Sequence, residues 1–500
     1  MSKPIMIEKA KNVSIVVLFL STVLLLYFFW GNITFDDLKQ PAVPVAGEVP
    51  ETPYLIRPER VIVNFGSFGS DNYAVIPAGQ SDVWCDQTET DRACMVKELD
   101  RFGQAENILV NEITYAKYQE VMKYRSIWAE FNYDIPMADF CRNFGIKKAQ
   151  SFDSIETVTA IGYSAASEDA KKSLFIFDRK NLKYYRLYSE KDNTQFGSLI
   201  DTIEIDTIES ERYNIYYPIS TYLGVDNNTL VPVTVKSDLI SIPFRQAIYS
   251  YQSEKINEIA KAYFGGNFDF VRKVTEDKGT VIYMYGYGQI VLIINTDGSI
   301  EYKEEQVSDN SGQSLLDALN TAVQFVADHG SWSFPEEAKL TPYLKDVVLD
   351  PGKEHGYQFV FGLEVNGIPL YYEQGDPITV NVIKGQVTYY KRDLIDFDEK
   401  DLEEAKADSM TDVFSTVNLI AQNYQYIYDI LLKAGTVNTT ADQEAMFEDV
   451  ASLVDNMQIG YVKLAVNKST ELQPAWIVTF KNTNVFFDLY TAEPIGYSIK

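Results

Sequence analysis

The chain has 500 residues, of which 46% are hydrophobic and 23% are charged, and its formal net charge at pH 7 is -27. A single hydrophobic core stops growing at roughly 250–300 residues, so we expect several modules. The negative charge makes nucleic acid a poor partner, and it also disfavours contact of the folded part with anionic lipids or wall polymers. A basic protein partner stays open, and solubility alone would also account for the charge.

The first element in chain order is an uncharged apolar run at residues 13–30, VSIVVLFLSTVLLLYFFW. As a helix it would be about 27 Å long, close to the hydrocarbon thickness of a bilayer. Lysines precede the run and two aspartates follow it: Lys3, Lys9 and Lys11, then Asp36 and Asp37. We therefore predict a cell-membrane protein with a cytoplasmic tail at 1–12, a single transmembrane helix at 13–30 and an extracytoplasmic bulk. A cleaved signal peptide is the alternative, but no small-x-small site directly follows the run.

The next segment, residues 31–58, contains five prolines and predicts an extended, semi-rigid stalk. Residues 59–245 are predicted to form an N-terminal α+β domain, and the many tyrosines and phenylalanines of the chain favour sheet. Its expected strands are at 61–63, 73–76, 127–131, 155–163 and 174–177, and its expected helices are at 95–101, 113–122 and after residue 136.

Three later stretches follow one plan, in which a helix precedes a small antiparallel meander. The units span 246–308, 309–400 and 401–500, with helices expected at 253–264, 315–328 and 411–433. The expected strands are at 281–285, 290–294 and 299–303, then 357–365, 378–382 and 386–391, then 459–466, 475–480 and 485–490. The predicted fold class is thus α+β, with one N-terminal transmembrane helix and several extracytoplasmic domains, each a helix packed on a small antiparallel sheet.

The residues that carry chemistry form no recognisable catalytic motif. The only histidines are His329 and His355, too few for a zinc hydrolase that uses several imidazoles. Three cysteines occur, Cys85, Cys94 and Cys141, and a disulfide between the first two is left open. We predict no enzyme, no cofactor and no metal site, although 71 acidic residues leave a hydrolase with two close carboxylates open.

Residues 126–145 read SIWAEFNYDIPMADFCRNFG, a strand followed by Ile-Pro and a small amphipathic helix. This stretch resembles the N-terminal domain of the YycH family, single-span accessory proteins of a cell-wall two-component system in Gram-positive bacteria. Residues 357–370 (YQFVFGLEVNGIPL) and 378–390 (ITVNVIKGQVTYY) resemble the sister family, YycI, and the last unit resembles a PepSY-like end. The resemblance implies a regulator of a WalK/YycG-type sensor histidine kinase, with the membrane, the kinase and a sister accessory protein as partners.

A regulator of this kind needs a transmembrane face that packs against its partner. Ser14, Ser21 and Thr22 are the polar positions of the predicted span, and Ser14 and Ser21 share one helix face because they are seven residues apart. They are the candidate transmembrane contact residues, although such side chains also bond to the carbonyls of their own helix. The alternative function is an envelope module that binds a ligand or peptide without any kinase.

Overall fold

The structure is a computed structural model. It describes Ser21, Thr22, Pro50 and the ranges 55–66, 72–77, 83–84, 94–147, 150–165, 173–191, 194–209, 212–232, 235–246, 248, 252–305, 313–330, 332, 340–349, 356–393, 395–397, 406–465 and 469–499. Within these residues, no helix has both the length and the apolar character needed to cross a membrane. The predicted span at 13–30 lies outside them except for Ser21 and Thr22, and the predicted tail at 1–12 lies wholly outside them.

The first part of the chain forms a nine-stranded antiparallel sheet. Its strands in chain order are β1 (Arg60–Asn64), β2 (Tyr73–Pro77), β3 (Leu109–Ile113), β4 (Ser126–Pro136), β5 (Thr157–Ser164), β6 (Ser173–Asp178), β7 (Lys183–Tyr188), β8 (Ile215–Pro218) and β9 (Leu230–Pro232). Their spatial order is β3-β7-β6-β5-β4-β1-β2-β8-β9. The sheet begins and ends with short strands, which limits the exposed backbone at its edges.

Helices cover both faces of this sheet. They are α1 (Met95–Gly103), α2 (Tyr115–Met122), α3 (Met137–Asn143), α4 (Phe196–Ile208) and α5 (Ser220–Leu223). Successive side chains of a strand point to opposite faces, so Val61 and Val63 of β1 enter the main core. Ile62 between them enters a smaller cluster with Tyr118 and Val121 of α2. The sheet is therefore buried on both sides.

The remainder of the chain forms a fourteen-stranded sheet and two small strand pairs. The strands are β10 (Lys236–Leu239), β11 (Ile242–Pro243), β12 (Arg245–Gln246), β13 (Arg272–Thr275), β14 (Val281–Tyr285), β15 (Ile290–Ile294), β16 (Ile300–Glu304), β17 (Leu340–Leu349), β18 (Gly356–Val365), β19 (Ile368–Tyr372), β20 (Ile378–Ile383), β21 (Gln386–Arg392), β22 (Ile395–Asp396), β23 (Lys406–Asp412), β24 (Asn456–Lys463), β25 (Glu471–Phe480), β26 (Thr483–Asp488) and β27 (Pro494–Ile499). The helices are α6 (Ser253–Phe264), α7 (Leu315–Gly330), α8 (Thr416–Lys433) and α9 (Gln443–Ser452).

The three helix-plus-meander units share this large sheet, whose order is β13-β14-β15-β16-β21-β20-β18-β19-β24-β25-β26-β27, with β17 on β18 and β11 on β25. The first unit joins the second through the antiparallel pair β16–β21, and the second joins the third through the parallel pair β19–β24. The prediction that helices pack on antiparallel sheets is therefore confirmed. The prediction that each unit has its own sheet is wrong, because the three meanders form one continuous sheet. The meander edges pair with each other, which satisfies backbone groups that separate domains would leave at their edges.

Helix α7 shows why the helices pack where they do. Its buried residues recur at helical spacing and form one apolar stripe: Leu315, Leu316, Ala318, Leu319, Ala322, Val323, Val326 and Ala327. This stripe belongs to the core beneath β18, β20 and β21. Helix α8 has a similar stripe on the third unit, where Leu419, Ile427 and Leu431 join Trp476 and Phe480 in a second core.

The first sheet is joined to the second part of the chain at the start of α7. Asp139 of α3 accepts a hydrogen bond from the backbone N–H of Leu315 at 3.1 Å, so it satisfies one unpaired donor at the helix N-terminus. Arg142 donates to Asp139 and to Asp317, both at 3.1 Å. Burial raises the pKa of the Asp139 carboxyl, and the Arg142 charge opposes that rise.

A buried ion pair joins the two parts at the point where the chain enters the body. Leu55, Ile56, Arg57 and Pro58, which the sequence assigned to the stalk, are all buried in the folded body. The rest of the predicted stalk at 31–58, except for Pro50, lies outside the described residues. The Arg57 Nη2 atom lies 3.3 Å from Glu364 Oε2 of β18, and the two side chains are only 6% and 1% exposed. Burial raises the pKa of Glu364, while the Arg57 charge opposes that rise. The guanidinium also lies over the Tyr343 ring of β17, 5.3 Å from its centroid.

Several element boundaries differ from the predictions. The helix expected at 113–122 begins at Tyr115, because Leu109–Ile113 is a strand that pairs with β7. The helix expected at 411–433 begins at Thr416, because the chain up to Asp412 forms β23. Cys94 is disulfide-bonded and Cys141 is a buried thiol. Cys85, the other member of the pairing left open above, lies outside the described residues.

His329 ends α7 and gives the fold a pH-dependent term. Its Nδ1 lies 2.8 Å from the Phe325 carbonyl oxygen, and its ring packs against Phe325 and Tyr263 with centroids 4.0 and 4.7 Å away. Burial lowers the pKa of His329 below its usual value of 6.5. The unfolded chain therefore takes up the proton first as the pH falls, so the contribution to stability is complete above about pH 6.5 and is lost below it.

We expect His329→Phe to remove part of the pH dependence of stability. Between pH 7.5 and pH 5.5 the native chain should lose more stability than the variant, by at most about 1.4 kcal/mol per pH unit, because one proton is involved. Urea denaturation at both pH values measures the difference. The control is the interval from pH 7.5 to 8.5, where the two proteins should change in parallel. Equal losses between pH 7.5 and 5.5 would contradict the assignment.

Candidate binding cleft

A cleft of about 650 Å³ lies between the first sheet and the last unit. One side is formed by β2, the loop before β8, β8 itself and Pro232 of β9. The other side is formed by β10 and by residues of β19, β24 and β25, including Ile368, Ile459 and Trp476. The volume falls within the range of about 300–1,000 Å³ that is typical of ligand sites. Among the described residues, this cleft is therefore our candidate functional site.

The wall formed by β8 and β9 is fixed to the last unit. The connection between these strands contains Asn227, whose Nδ2 donates hydrogen bonds to the carbonyls of Ala451 at 3.0 Å and Val454 at 2.9 Å. Those carbonyls lie at the end of α9, where helix acceptors have no partner within the helix. The Asn227 Oδ1 accepts from the Thr229 N–H at 2.8 Å. One asparagine thus joins the two sides of the cleft.

The wall formed by β10 is held by contacts with the last unit and with β23. Tyr490 donates its hydroxyl hydrogen to the Leu239 carbonyl at 2.6 Å, and Tyr461 donates to the Ile240 carbonyl at 3.2 Å. On the same strand, Ser237 pairs with Thr411 of β23. Three contacts therefore hold β10 and the residue that follows it in place, and the cleft is preformed on both sides.

Aromatic side chains are concentrated in the lining, but most of their rings are covered. Tyr216 is 7% exposed and Trp476 is 1% exposed, and the Trp476 Nε1 donates to the Phe414 carbonyl at 2.9 Å. Tyr217 and Tyr222 meet edge to face, with centroids 5.8 Å apart and an interplanar angle of 83°. Burial raises the pKa of the Tyr216 hydroxyl to about 12, with the Arg60 charge opposing the rise. The Tyr216 hydroxyl therefore stays protonated at neutral pH.

Two cations and one anion line the cleft: Arg212, Lys236 and Asp238. The Arg212 guanidinium lies 3.7 Å from the Asp206 carboxylate and over the Tyr213 ring, 5.6 Å from its centroid. A glycosidase needs two carboxylates on either side of its substrate, and the lining supplies one. Within the part of the chain that is described, no three His, Cys, Asp or Glu side chains are grouped as metal ligands. The lining is suited to recognition by hydrogen bonds and apolar contact.

The residues predicted as transmembrane contacts are not part of this cleft. Ser14 lies outside the described residues, and Ser21 and Thr22 are helical and exposed. Sequence reasoning missed the cleft because its lining comes from segments spread between Val75 and Trp476. One local signal was present, since four tyrosines occur within ten residues at 213–222.

Comparison with known proteins adds one finding. No protein-family model matches the sequence, and no curated protein has significant sequence similarity to it. The crystal structure of YycH from Bacillus subtilis matches with a TM-score of 0.53, over 89% of this chain and 98% of that chain. The chain has the YycH fold. The two sequences are only 13% identical, so the match concerns the path of the backbone.

The YycH match covers 89% of this chain. The predicted resemblance to YycH is thus confirmed at the level of fold, and it is not restricted to the stretch at 126–145 that suggested it.

Proposed function

We propose that this chain is a membrane-anchored extracytoplasmic accessory protein. It regulates a two-component sensor histidine kinase of cell-wall metabolism by protein–protein contact. The observation that supports the proposal is the YycH fold, which extends over 89% of the chain. The motif resemblance at 126–145 points to the same class of regulators. Regulation by contact requires no catalytic group, and the lining of the cleft contains no pair of carboxylates.

The proposed anchor at 13–30 would place the protein in the same membrane as the kinase. Its uncharged length suits a single span, and the lysines before it keep the N-terminus in the cytoplasm. In a regular helix, Ser14 and Ser21 lie on one face, and small polar residues on a common face allow close approach of a second helix. The proposed contact is therefore between this face and a transmembrane helix of the kinase.

The experiment is co-purification of the full chain with the sensor kinase from membranes in mild detergent. We expect the double variant Ser14→Leu and Ser21→Leu to weaken association by about 1.2 kcal/mol, roughly sevenfold, since each such contact contributes about 0.6 kcal/mol. The matched control is Val16→Leu with Val23→Leu, which adds bulk to the opposite face of the same helix. Equal recovery of the kinase with both double variants would contradict the proposed contact at Ser14 and Ser21.

A second candidate function is an envelope module that binds a ligand or a peptide. The observation that favours it is the preformed cleft of about 650 Å³, fixed on both sides by side-chain hydrogen bonds. The two functions are compatible, because one uses the anchor and the other uses the body.

A further inference from the structure

We propose that the outer side of α4 is a docking surface for a basic amphipathic helix of a partner protein. We call this surface, which includes Asp201, Ile205, Ile208 and the C-cap residue Glu209, the α4 face. The inference concerns the folded body, so it goes beyond the proposed anchor contact and holds whether or not the anchor binds a kinase.

The first observation is that α4 carries large apolar side chains on both of its sides. Its inner side is buried against the first sheet through Leu199, Ile200 and Ile203. Ile205 and Ile208 lie outside this buried stripe and are 53% and 63% exposed. They are three residues apart, so they are neighbours on the helix surface. Isoleucine is only a moderate helix former, so the stability of α4 itself does not explain these two side chains.

The second observation is that exposed apolar side chains continue beyond the helix. Ile215 of β8 and Tyr222 of α5 are 37% and 43% exposed, and both line the cleft. Thr207 and Arg212 line the same cleft, which places the C-terminal end of α4 at its rim. Exposed apolar residues that are scattered singly are ordinary surface, but a group at one helix end and the adjoining rim is typical of a protein contact.

The charge of the α4 face restricts what can cover it. The helix and its C-cap carry four carboxylates and no lysine or arginine: Asp201, Glu204, Asp206 and Glu209. Asp201 and Glu204 share one cation, Arg125, and Asp201 remains 65% exposed. Asp206 pairs with Arg212 at 3.7 Å. The carbonyls at the end of the helix add partial negative charge beside Glu209, so negative charge is in excess on this face.

This excess disfavours two of the three possible occupants. A symmetric dimer would bring the carboxylates of one α4 face against those of a second copy, and like charges across an interface cost free energy. An anionic lipid surface meets the same repulsion. A partner segment with lysine or arginine on either side of an apolar stripe supplies the opposite charge and covers both isoleucines.

The geometry of the α4 face favours a helix as that segment. The backbone groups within α4 are bonded along the helix, so this face offers side chains and no hydrogen-bond ladder that a strand could continue. An amphipathic helix presents its apolar side chains three and four residues apart, which matches the spacing of Ile205 and Ile208. Two such helices pack with the side-chain ridges of one in the grooves of the other.

The test measures binding of three synthetic peptides to the full chain in nanodiscs of zwitterionic lipid, with empty nanodiscs as the reference. The first is an amphipathic helix with a leucine stripe and a lysine-rich polar face. The second has the same stripe and glutamate in place of lysine, and the third is the first peptide with its sequence scrambled. We expect only the lysine helix to bind the native chain.

Variants locate the binding on α4. The double variant Ile205→Ser with Ile208→Ser should weaken binding of the lysine helix about tenfold, because apolar anchors dominate such contacts. The matched control is Leu182→Ser, which removes a residue that is 73% exposed in the turn between β6 and β7 and should leave binding unchanged. Glu209→Lys should weaken binding about threefold. Because a cation at a helix C-terminus favours the helix, that loss would not come from unfolding.

A photocrosslinker on the leucine stripe provides a second readout and should label α4. The proposal is overturned if the lysine helix does not bind, if the glutamate helix binds equally well, or if the double isoleucine variant binds like the native chain. It is also overturned if light scattering shows a native dimer that this double variant converts to a monomer, since a second copy would then cover the face. The variant Ser14→Leu with Ser21→Leu should bind the lysine helix normally, so failure of the kinase proposal and failure of this one are distinguishable.

Discussion

Replacement of Arg57 by methionine is expected to destabilise the protein by about 3–5 kcal/mol. The substitution leaves the Glu364 carboxylate buried at 1% exposure, without the guanidinium that lies 3.3 Å from it. Burial already raises the pKa of this carboxyl, and loss of the opposing positive charge will raise it further. Urea denaturation of the full chain measures the change in unfolding free energy.

The double variant Arg57→Met with Glu364→Leu tests whether the loss of stability comes from the unpaired charge. If the cost arises from one unpaired charge, apolar replacement of both partners should recover most of the lost stability. The matched surface control is Lys183→Met, which removes an exposed pair with Glu112 at 3.1 Å and should cost less than about 1 kcal/mol. A double variant that is no more stable than Arg57→Met would show that the side-chain packing, rather than the charge pair, matters.

Gly162→Ala is expected to destabilise the first sheet by about 1–3 kcal/mol, because it inserts a methyl group where no room exists. Gly162 lies in β5 opposite Trp128 of β4. A Cβ atom at this position would approach the Ile127 carbonyl oxygen and the Trp128 ring, each to 2.5 Å. The carbonyl belongs to the backbone of a central strand and the ring is only 1% exposed, so neither can move without disturbing the core.

Gly197→Ala is the matched control for this substitution. Gly197 lies in α4, and a Cβ atom there would meet nothing within 4 Å. Alanine should be neutral or stabilise the helix by up to about 1 kcal/mol, since glycine is a weak helix former. Thermal unfolding of both variants measures the contrast. A similar change in the two midpoints would contradict the argument from crowding.

Local patterns in the sequence predicted the elements whose periodicity is strong. Helix α7 was predicted because its apolar residues recur at helical spacing, and the strands of the meanders were predicted from alternation. Helix α4 was missed, since its sequence FGSLIDTIEIDTI is rich in isoleucine and threonine, which favour strands. Its burial against the first sheet decides the conformation, because Leu199, Ile200 and Ile203 all enter the core.

Contacts between distant segments could not be predicted from the sequence. Strands β19 and β24 pair in parallel through Leu370 and Tyr461, but alternation alone does not say which edge pairs with which. The cleft likewise needs the bend at Tyr213 and the β10 segment to meet. Arg57 and Glu364 are 307 positions apart, and no local motif marks either of them.

The burial of Leu55–Pro58 determines where a soluble fragment of this protein can begin. A truncation that starts at Arg60, the first residue of the first strand, would discard four buried side chains and leave Glu364 without its cation. Fragments intended for crystallisation or for binding assays should therefore begin upstream of Leu55. With that segment kept, the fragment retains the four buried side chains and the pair between Arg57 and Glu364.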